Sequence, residues 1–522
     1  MMYAKKLLLA AVPLSMHAKE HFLSDSLQYK IEMQASLSEG KTPLWQNANK
    51  YGLSSLKNTN GYLRAAIVHP ISFDNGKKWD LGYGLDIASA FNYTSTVIVQ
   101  QAFIEAKWLH GTLTIGSREY PMELKSNRLS SGSQTLGINA RPIPQVRLSL
   151  PEYWKVPLTK GWLMIKGHIS YGMTTDDKWQ VDFTRKESKY TENTLFHSKS
   201  GYIKIGNENK FLPVSLELGL EMAAQFGGRS HVMGNDGKMT VINNKNGIGA
   251  FIDALVPGGS DAVETTYKNA DGNQLGSWVA KLNFVSNTWS LGLYVDHYFE
   301  DHSSMFLLDY DGYDTGEKWD RKKKNRYLMY SLKDIMIGTE LKLKGNRWLH
   351  DFVIEYIYTK YQSGPIYHDH TESFPDHIGG IDDYYNHYLF TGWQHWGQVI
   401  GNPLYMSPIY NTDGKIVIKN NRFWAFHLGV CSDLAYNLSY RFLATYQKGY
   451  GTYYTPRSMP FISPRENVSL MAETTYRFSE KSKLKGWSII LSAGLDTGNL
   501  LGDNPGIQVT ITKAGLLNKK RK

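Results

Sequence analysis

The chain has 522 residues, enough for several soluble domains or one large barrel. Hydrophobic residues make up 42% and charged residues 20%, which excludes a disordered chain. No run of about 18 uncharged apolar residues follows the N-terminus, which argues against a helical membrane protein and leaves a transmembrane barrel open. The net charge of +10 suits acidic polysaccharide or lipid headgroups and does not choose between them.

The N-terminus, MMYAKKLLLAAVPLSMHAKE, carries Lys5 and Lys6, an apolar run from Leu7 to Leu14 and small residues up to Ala18. That is the layout of a secretory signal peptide spanning 1–18, and it makes nucleic acid an unexpected partner. A single cysteine, Cys431, excludes an internal disulfide, so an exported chain needs another large stabilising term. A closed barrel supplies one.

Residues 19–60 read as a periplasmic segment ahead of the barrel. Within it, KTPLWQNANKYGL places Thr42 as helix N-cap and Pro43 at the first helical position. Leu44, Trp45, Ala48 and Tyr51 share one face and Gly52 ends the helix. A periplasmic plug or lid is the expected role.

Residues 61–514 read as the barrel. KKWDLGYGLDIASAF alternates Trp79, Leu81, Tyr83, Leu85 and Ile87 with Asp80, Gly82, Gly84, Asp86 and Ala88, the period of a strand with one apolar and one polar face. The same period recurs in WLMIKGHISYGM, VSLELGLEMAAQF, TWSLGLYVDHYF, DLAYNLSYRFLATYQ, NVSLMAETTYRF and WSIILSAGLDTG. These runs are about 9–13 residues long, nearer the 9–11 needed to cross a bilayer at a tilt than the 5–6 of globular strands. Trp79, Trp162, Trp278, Trp289, Trp348, Trp424 and Trp487 fall at strand starts, and Tyr171, Tyr298, Tyr358, Tyr361 and Tyr446 near strand ends, as girdles would. Tight connections (285–288, 344–347 and near Ser432–Asp433) alternate with long ones (228–275, 301–333, 362–421). The fold expected is all-β: a transmembrane antiparallel barrel of about 18 strands between Tyr62 and Lys513, with a short N-terminal helical segment. A last strand over Ile507–Lys513 and a basic tail at 515–522 complete it. GIGAFIDALVPGG, in a long loop, reads as a helix that packs across the barrel mouth or simply connects.

Candidate chemistry concentrates in three places. Around GSREYP…GINARPIPQVRLSLPEY, Arg118, Arg128, Arg141 and Arg147 fall close together, and Glu119, Glu123 and Glu152 are placed to pair some of them. Arginine also grips carboxylates of acidic sugars bidentately. DYDGYDTGEKWD (Asp309, Asp311, Asp314, Asp320) loosely resembles a calcium loop but breaks its spacing, and reads as a solvated acidic loop. YHDHTESFPDHIGGIDDYYNHYLFTGWQHWGQVIGNPL holds His368, His370, His377, His387 and His395 among aromatic rings, without a compact metal-ligand spacing. Rings interleaved with Asn, Asp, His and Gln suit sugars, or a structural loop folded into the lumen. No G-x-S-x-G, H-E-x-x-H, Walker A or G-x-G-x-x-G motif occurs, so no enzyme, metal or cofactor is expected.

The Asn-Ala-Arg-Pro run at 139–142, the run from Tyr385 to Pro403 and ISPRENVSLMAE resemble the capsule assembly Wzi family, in its Bacteroides-type branch, over most of the mature chain. The resemblance implies an outer-membrane barrel of about eighteen strands, with helices near the periplasmic N-terminal side, that acts as a surface lectin and attaches capsular polysaccharide to the cell. Arg118, Arg141, Tyr385, Asn386, His387, Trp393 and Asn402 stand at motif positions, either as polysaccharide contacts or as lumen architecture. The implied partners are surface polysaccharide and outer-membrane lipid, with a monomeric barrel. A channel, or a barrel enzyme acting on polysaccharide or lipid, is the alternative.

Overall fold

The computed structural model describes residues 27–517 apart from 74–75, 77, 208–211, 235, 257–271, 301–304, 306–315, 319–320, 322–333, 369–376 and 454–459. The signal-peptide region, Asp309, Asp311, Asp314, Asp320 and His370 lie outside the described residues.

Eighteen antiparallel strands form one sheet. They are β1 (Leu27–Ser38), β2 (Thr59–His69), β3 (Trp79–Phe91), β4 (Val97–Trp108), β5 (Gly111–Ser117), β6 (Gln145–Lys155), β7 (Leu163–Met173), β8 (Leu195–Ile205) and β9 (Val214–Phe226). Then come β10 (Asn273–Val285), β11 (Trp289–Glu300), β12 (Ile335–Leu343), β13 (Asp351–Tyr358), β14 (Phe423–Ala435), β15 (Leu438–Gly451), β16 (Pro460–Arg477), β17 (Trp487–Gly498) and β18 (Asn504–Leu517). Each strand pairs with its sequence neighbour, and β18 pairs with β1 from Leu27↔Leu517 to Ser38↔Gly506, so the sheet closes and has no edge.

One end carries tight turns, such as 109–110, 286–288 and 436–437; the other carries the long loops 118–144, 227–272 and 359–422. Short turns face the periplasm and long loops the exterior in outer-membrane barrels. Alternation sets the two faces. On β3, Trp79, Leu81, Tyr83, Leu85 and Ile87 are exposed on the outer wall while Asp86 is buried in the lumen against Arg64. At the turn end Trp79 stacks on Trp108 at 5.8 Å, and Trp162, Trp348 and Trp487 are also exposed, forming a girdle. At the loop end Trp424 packs on Tyr446 at 5.4 Å. Tyr298 departs from the expected girdle: it points inward and is buried against Tyr384 and Tyr385.

Several sequence expectations are corrected. The barrel begins at Leu27, not at residue 61, because LQYKIEMQASLS is itself a wall strand whose Gln28, Lys30, Glu32 and Gln34 line the lumen. Its outer face is built from Tyr, Met and Ala as well as Ile and Leu, a weaker apolar signal than that of later strands. Eighteen strands are reached with β1 supplying one of them. Residues 39–58 join β1 to β2 at the loop end and fold into the lumen, so they are not periplasmic. The helix there, α1 (Leu44–Asn47), is a single buried turn with Pro43, not Thr42, at its cap position; Thr42 instead bonds the Lys57 carbonyl at 3.1 Å. The run read as one strand from Asp433 to Gln447 is a hairpin turning at Tyr436–Asn437, because period-2 alternation passes unbroken through a two-residue turn. The last strand extends to Leu517, so 515–517 belong to the wall rather than a tail.

The lumen is packed. Segments 39–58, 118–144 and 382–422 enter it, and Leu44, Trp45, Leu129, Tyr385, Trp393 and Leu404 form one buried cluster with wall residues such as Val353, Ile357 and Ala425. Wall carboxylates tie the segments down: Asp296 holds Lys125 at 2.7 Å and the Gln134 amide at 3.0 Å, and Glu355 holds the Ser131 amide at 2.8 Å. Two further helices lie outside this plug, α2 (Asp177–Thr184) and α3 (Ile248–Leu255).

Candidate functional site

Residues 118–144 and 382–403 carry the sequence motifs, and they meet inside the barrel. Tyr385 donates its hydroxyl to the Gln134 carbonyl and receives the Asn402 amide at 3.1 Å. Trp393 donates to Thr135, and the Asn402 side chain donates to Ser131 at 3.2 Å and Gly132 at 3.1 Å. Tyr385, Trp393 and Asn402 are wholly buried. Asn386 clasps the backbone of Ile418 in both directions, at 3.0 and 2.9 Å. His387 accepts the amides of Leu389 and Phe390 through Nδ1, and burial and then the Lys189 charge push its pKa down to about 3. These five residues hold the plug together. The polar groups of Tyr385, Trp393 and Asn402 are spent on partners within the plug.

Arg118 and Arg141 have a different setting. They line, with Arg147, a cavity of about 100 Å³ between the plug and the wall strands β6–β9, bounded also by Tyr120, Gln145, His168, Tyr202 and Glu221. Arg118 pairs with Glu105 and lies over the Phe103 ring at 4.7 Å. Glu119 pairs with Arg64 at 3.0 Å and Glu123 with Lys166; Glu123 also lines the cavity and acts on Arg147 through space, without forming an ion pair with it. Arg141 donates to the hydroxyls of Thr94 at 2.6 Å and Ser95 at 3.4 Å and sits 4.2 Å over Trp396; burial pushes its pKa down to about 10. Arg147 lies 3.9 Å over the Tyr120 ring. The Nε atoms of Arg141 and Arg147, the Tyr120 hydroxyl and the Gln145 carbonyl oxygen are buried without a hydrogen-bond partner among the described residues. Two guanidiniums that form no ion pair with a carboxylate among the described residues, beside aromatic faces and free acceptors, can take an anionic group with hydroxyls around it.

Local sequence explains the placement. β5 stops at Ser117, so Val97–Gln101 of β4 have no β5 partner and the wall is low there. The chain dives inward at Arg118 and returns at Gln145 through Pro142 and Pro144, which hold Arg141 and Arg147 on either side of an irregular stretch. The sequence thus brings Arg118 and Arg141 together and sets the other five candidates apart in the plug. Tyr120 and Gln145 lie inside the quoted runs but are not singled out by them, and Thr94 and Ser95 lie outside any motif. Arg147 is visible in the arginine-dense run, but only the fold shows that it forms no ion pair with a carboxylate among the described residues.

No protein-family model matches this sequence, and no curated relative does. Among solved structures the chain is similar to Wzi, an outer membrane protein involved in group 1 capsule assembly in Escherichia coli and described as a carbohydrate-binding β-barrel (TM-score 0.52, 13% identity, covering 93% of this chain and 83% of that one). It also aligns with Pseudomonas aeruginosa OprD (TM-score 0.45, 9% identity, 96% and 98% covered) and with OccK2 of the same organism in complex with glucuronate (TM-score 0.45, 7% identity, 96% and 100% covered). At these identities the likeness is one of fold. With the apolar outer belt, the polar lumen and full closure, the chain is an eighteen-stranded β-barrel of the bacterial outer membrane.

Proposed function

We propose that this barrel is a non-catalytic binder of acidic surface polysaccharide that attaches capsular polymer to the cell. The observation that carries the reading is the pair Arg141, buried over Trp396, and Arg147, half-buried over Tyr120, which line one cavity and form no ion pair with a carboxylate among the described residues. Carrying a desolvated charge with no counter-charge in direct contact costs stability, and an anionic ligand group offsets that cost. Arg141 reaches the 92–96 connection at the outer end of the barrel, where polymer outside the cell arrives. A repeating polymer converts weak single-unit contacts into firm retention through effective concentration. The carbohydrate-binding description of the similar Wzi barrel supports the same reading. The packed plug counts against a diffusion channel.

The test is the partition of capsule in a deletion strain, polymer on cells against polymer in the medium. Polymer lost from cells and abundant in the medium is expected. Polymer missing from both assigns the protein to synthesis or export, and an unchanged partition in a strain without a second copy overturns the reading.

A further inference from the structure

Helix α3 lies on the outside of the barrel, not across its mouth. The wall residues that touch it all belong to the lipid-facing parity. Tyr171 of β7 donates its hydroxyl to the Phe251 carbonyl at 2.7 Å, and Gln274 of β10 donates to the Asp253 carbonyl at 3.4 Å. Lys199 of β8 donates to the carbonyls of Ala254, at 3.0 Å, and Leu255. Ala224 and Phe226 of β9 pack with Ala250 and Ala254. The neighbours of opposite parity, Ser198 and Ala223, face the lumen.

This placement resolves an anomaly in the wall. Lys199, His197 and Gln274 are polar groups on a surface that otherwise meets lipid. Lys199 pairs across from Met222, eight residues along β9 from Val214. At about 3.4 Å per residue and a tilt of about 40°, that is roughly 20 Å up a belt about 25 Å tall. α3 covers the three groups: Lys199 caps the last carbonyls of the helix, where the dipole favours a cation, and His197 packs against Tyr171 with ring centres 4.5 Å apart and planes tilted by 39°. The opposite face of α3 is apolar. Ile248, Ile252 and Val256, spaced four apart, are exposed by 82%, 56% and 62%, and the only charge in the helix is Asp253.

We propose that α3 is an interfacial helix of the outer leaflet, lying flat against the wall with Ile248, Ile252 and Val256 in the boundary between headgroups and acyl chains. Its apolar face continues the lipid-facing belt of Leu218 and Leu282 outward at the level where the belt ends. It thereby gives this barrel a fixed lipid contact on the sector β7–β10.

The test places a bimane label at Ile252→Cys in a Cys431→Ala background, in the full-length barrel reconstituted into phosphatidylcholine vesicles. Leu218→Cys serves as the lipid control and Lys238→Cys as the aqueous control. Bromines placed high on the acyl chains are expected to quench the label at 252 at least twofold more than bromines placed deep, with iodide quenching well below that at 238. Iodide quenching equal to that at 238 overturns the proposal by placing the face in water. Shielding from both quenchers overturns it in favour of a protein cover, such as a second copy of this chain. Ile248→Cys reports the same face if the 252 variant fails to fold.

Discussion

The indole Nε1 of Trp393 donates to the carbonyl of Thr135, 258 residues earlier in the chain, at 2.9 Å. Around this bond Asn139 donates to the Val399 carbonyl at 3.0 Å and the Arg141 carbonyl accepts from His395 at 2.9 Å. Two loops that enter from opposite sectors of the wall therefore form one body. Gly401 marks how closely they approach: a Cβ there would lie 2.3 Å from the Gln134 carbonyl oxygen.

Trp393→Ala is expected to loosen the plug and spare the barrel. Removing a wholly buried indole costs about 3–5 kcal/mol, borne by plug contacts rather than by wall hydrogen bonds. Trypsin should then cleave after Lys125 or Arg128 in the folded barrel, and planar-bilayer conductance should rise. A variant as quiet and as resistant as the parent would mean that the loops hold without this contact.

Arg147→Met and Arg141→Met are expected to weaken binding of an acidic polysaccharide and leave a neutral polymer unaffected. A hydrogen bond to a charged group contributes about 1.5–3 kcal/mol, so each change should cost about ten- to a hundredfold in Kd by calorimetry. Arg141→Met should cost less, since Arg141 also spends donors on Thr94 and Ser95. Equal loss for neutral and acidic polymers would show that shape, not charge, is read.

The wall was legible in the sequence because period-2 alternation and strand length are local properties, as in Trp79–Ile87. What stayed hidden was direction and partnership. Whether residues 39–58 fold into the lumen from the outer end depends on β1 being a wall strand, and its Met33 and Ala35 gave a faint apolar signal. The motif residues stood out together, but their split into plug fasteners such as Asn402 and cavity groups such as Arg141 depends on contacts hundreds of residues apart. α3 was legible as a helix; that it lies outside the wall depends on which parity of β8 and β9 it touches.

Leu218→Arg is expected to block assembly. Residue 218 is exposed on the lipid face, while its neighbour Glu217 is buried in the lumen and accepts from Tyr153 and Asn283. Arginine at mid-membrane on the lipid face costs about 2–4 kcal/mol. The heat-modifiable, folded fraction in outer membranes should fall sharply, whereas Leu218→Phe should leave it unchanged. Normal folding of the arginine variant would invert the assignment of faces on β9.

His387 is expected to make the plug sensitive to acid. Its Nδ1 accepts the amides of Leu389 at 3.0 Å and Phe390 at 3.2 Å, which only an unprotonated nitrogen can do. Burial and then Lys189 hold its pKa at about 3, against 6.5 for a free histidine. Between those values the unfolded segment binds a proton that the folded one does not, so stability is full above about pH 6.5 and falls as the pH drops towards 3. Amide exchange at 389 and 390, corrected for intrinsic rates, should therefore be faster at pH 5 than at pH 7. His387→Asn keeps an acceptor at this turn and removes the titration, so its exchange should lose the pH dependence. The same acceleration in the asparagine variant would assign the acid sensitivity to another group.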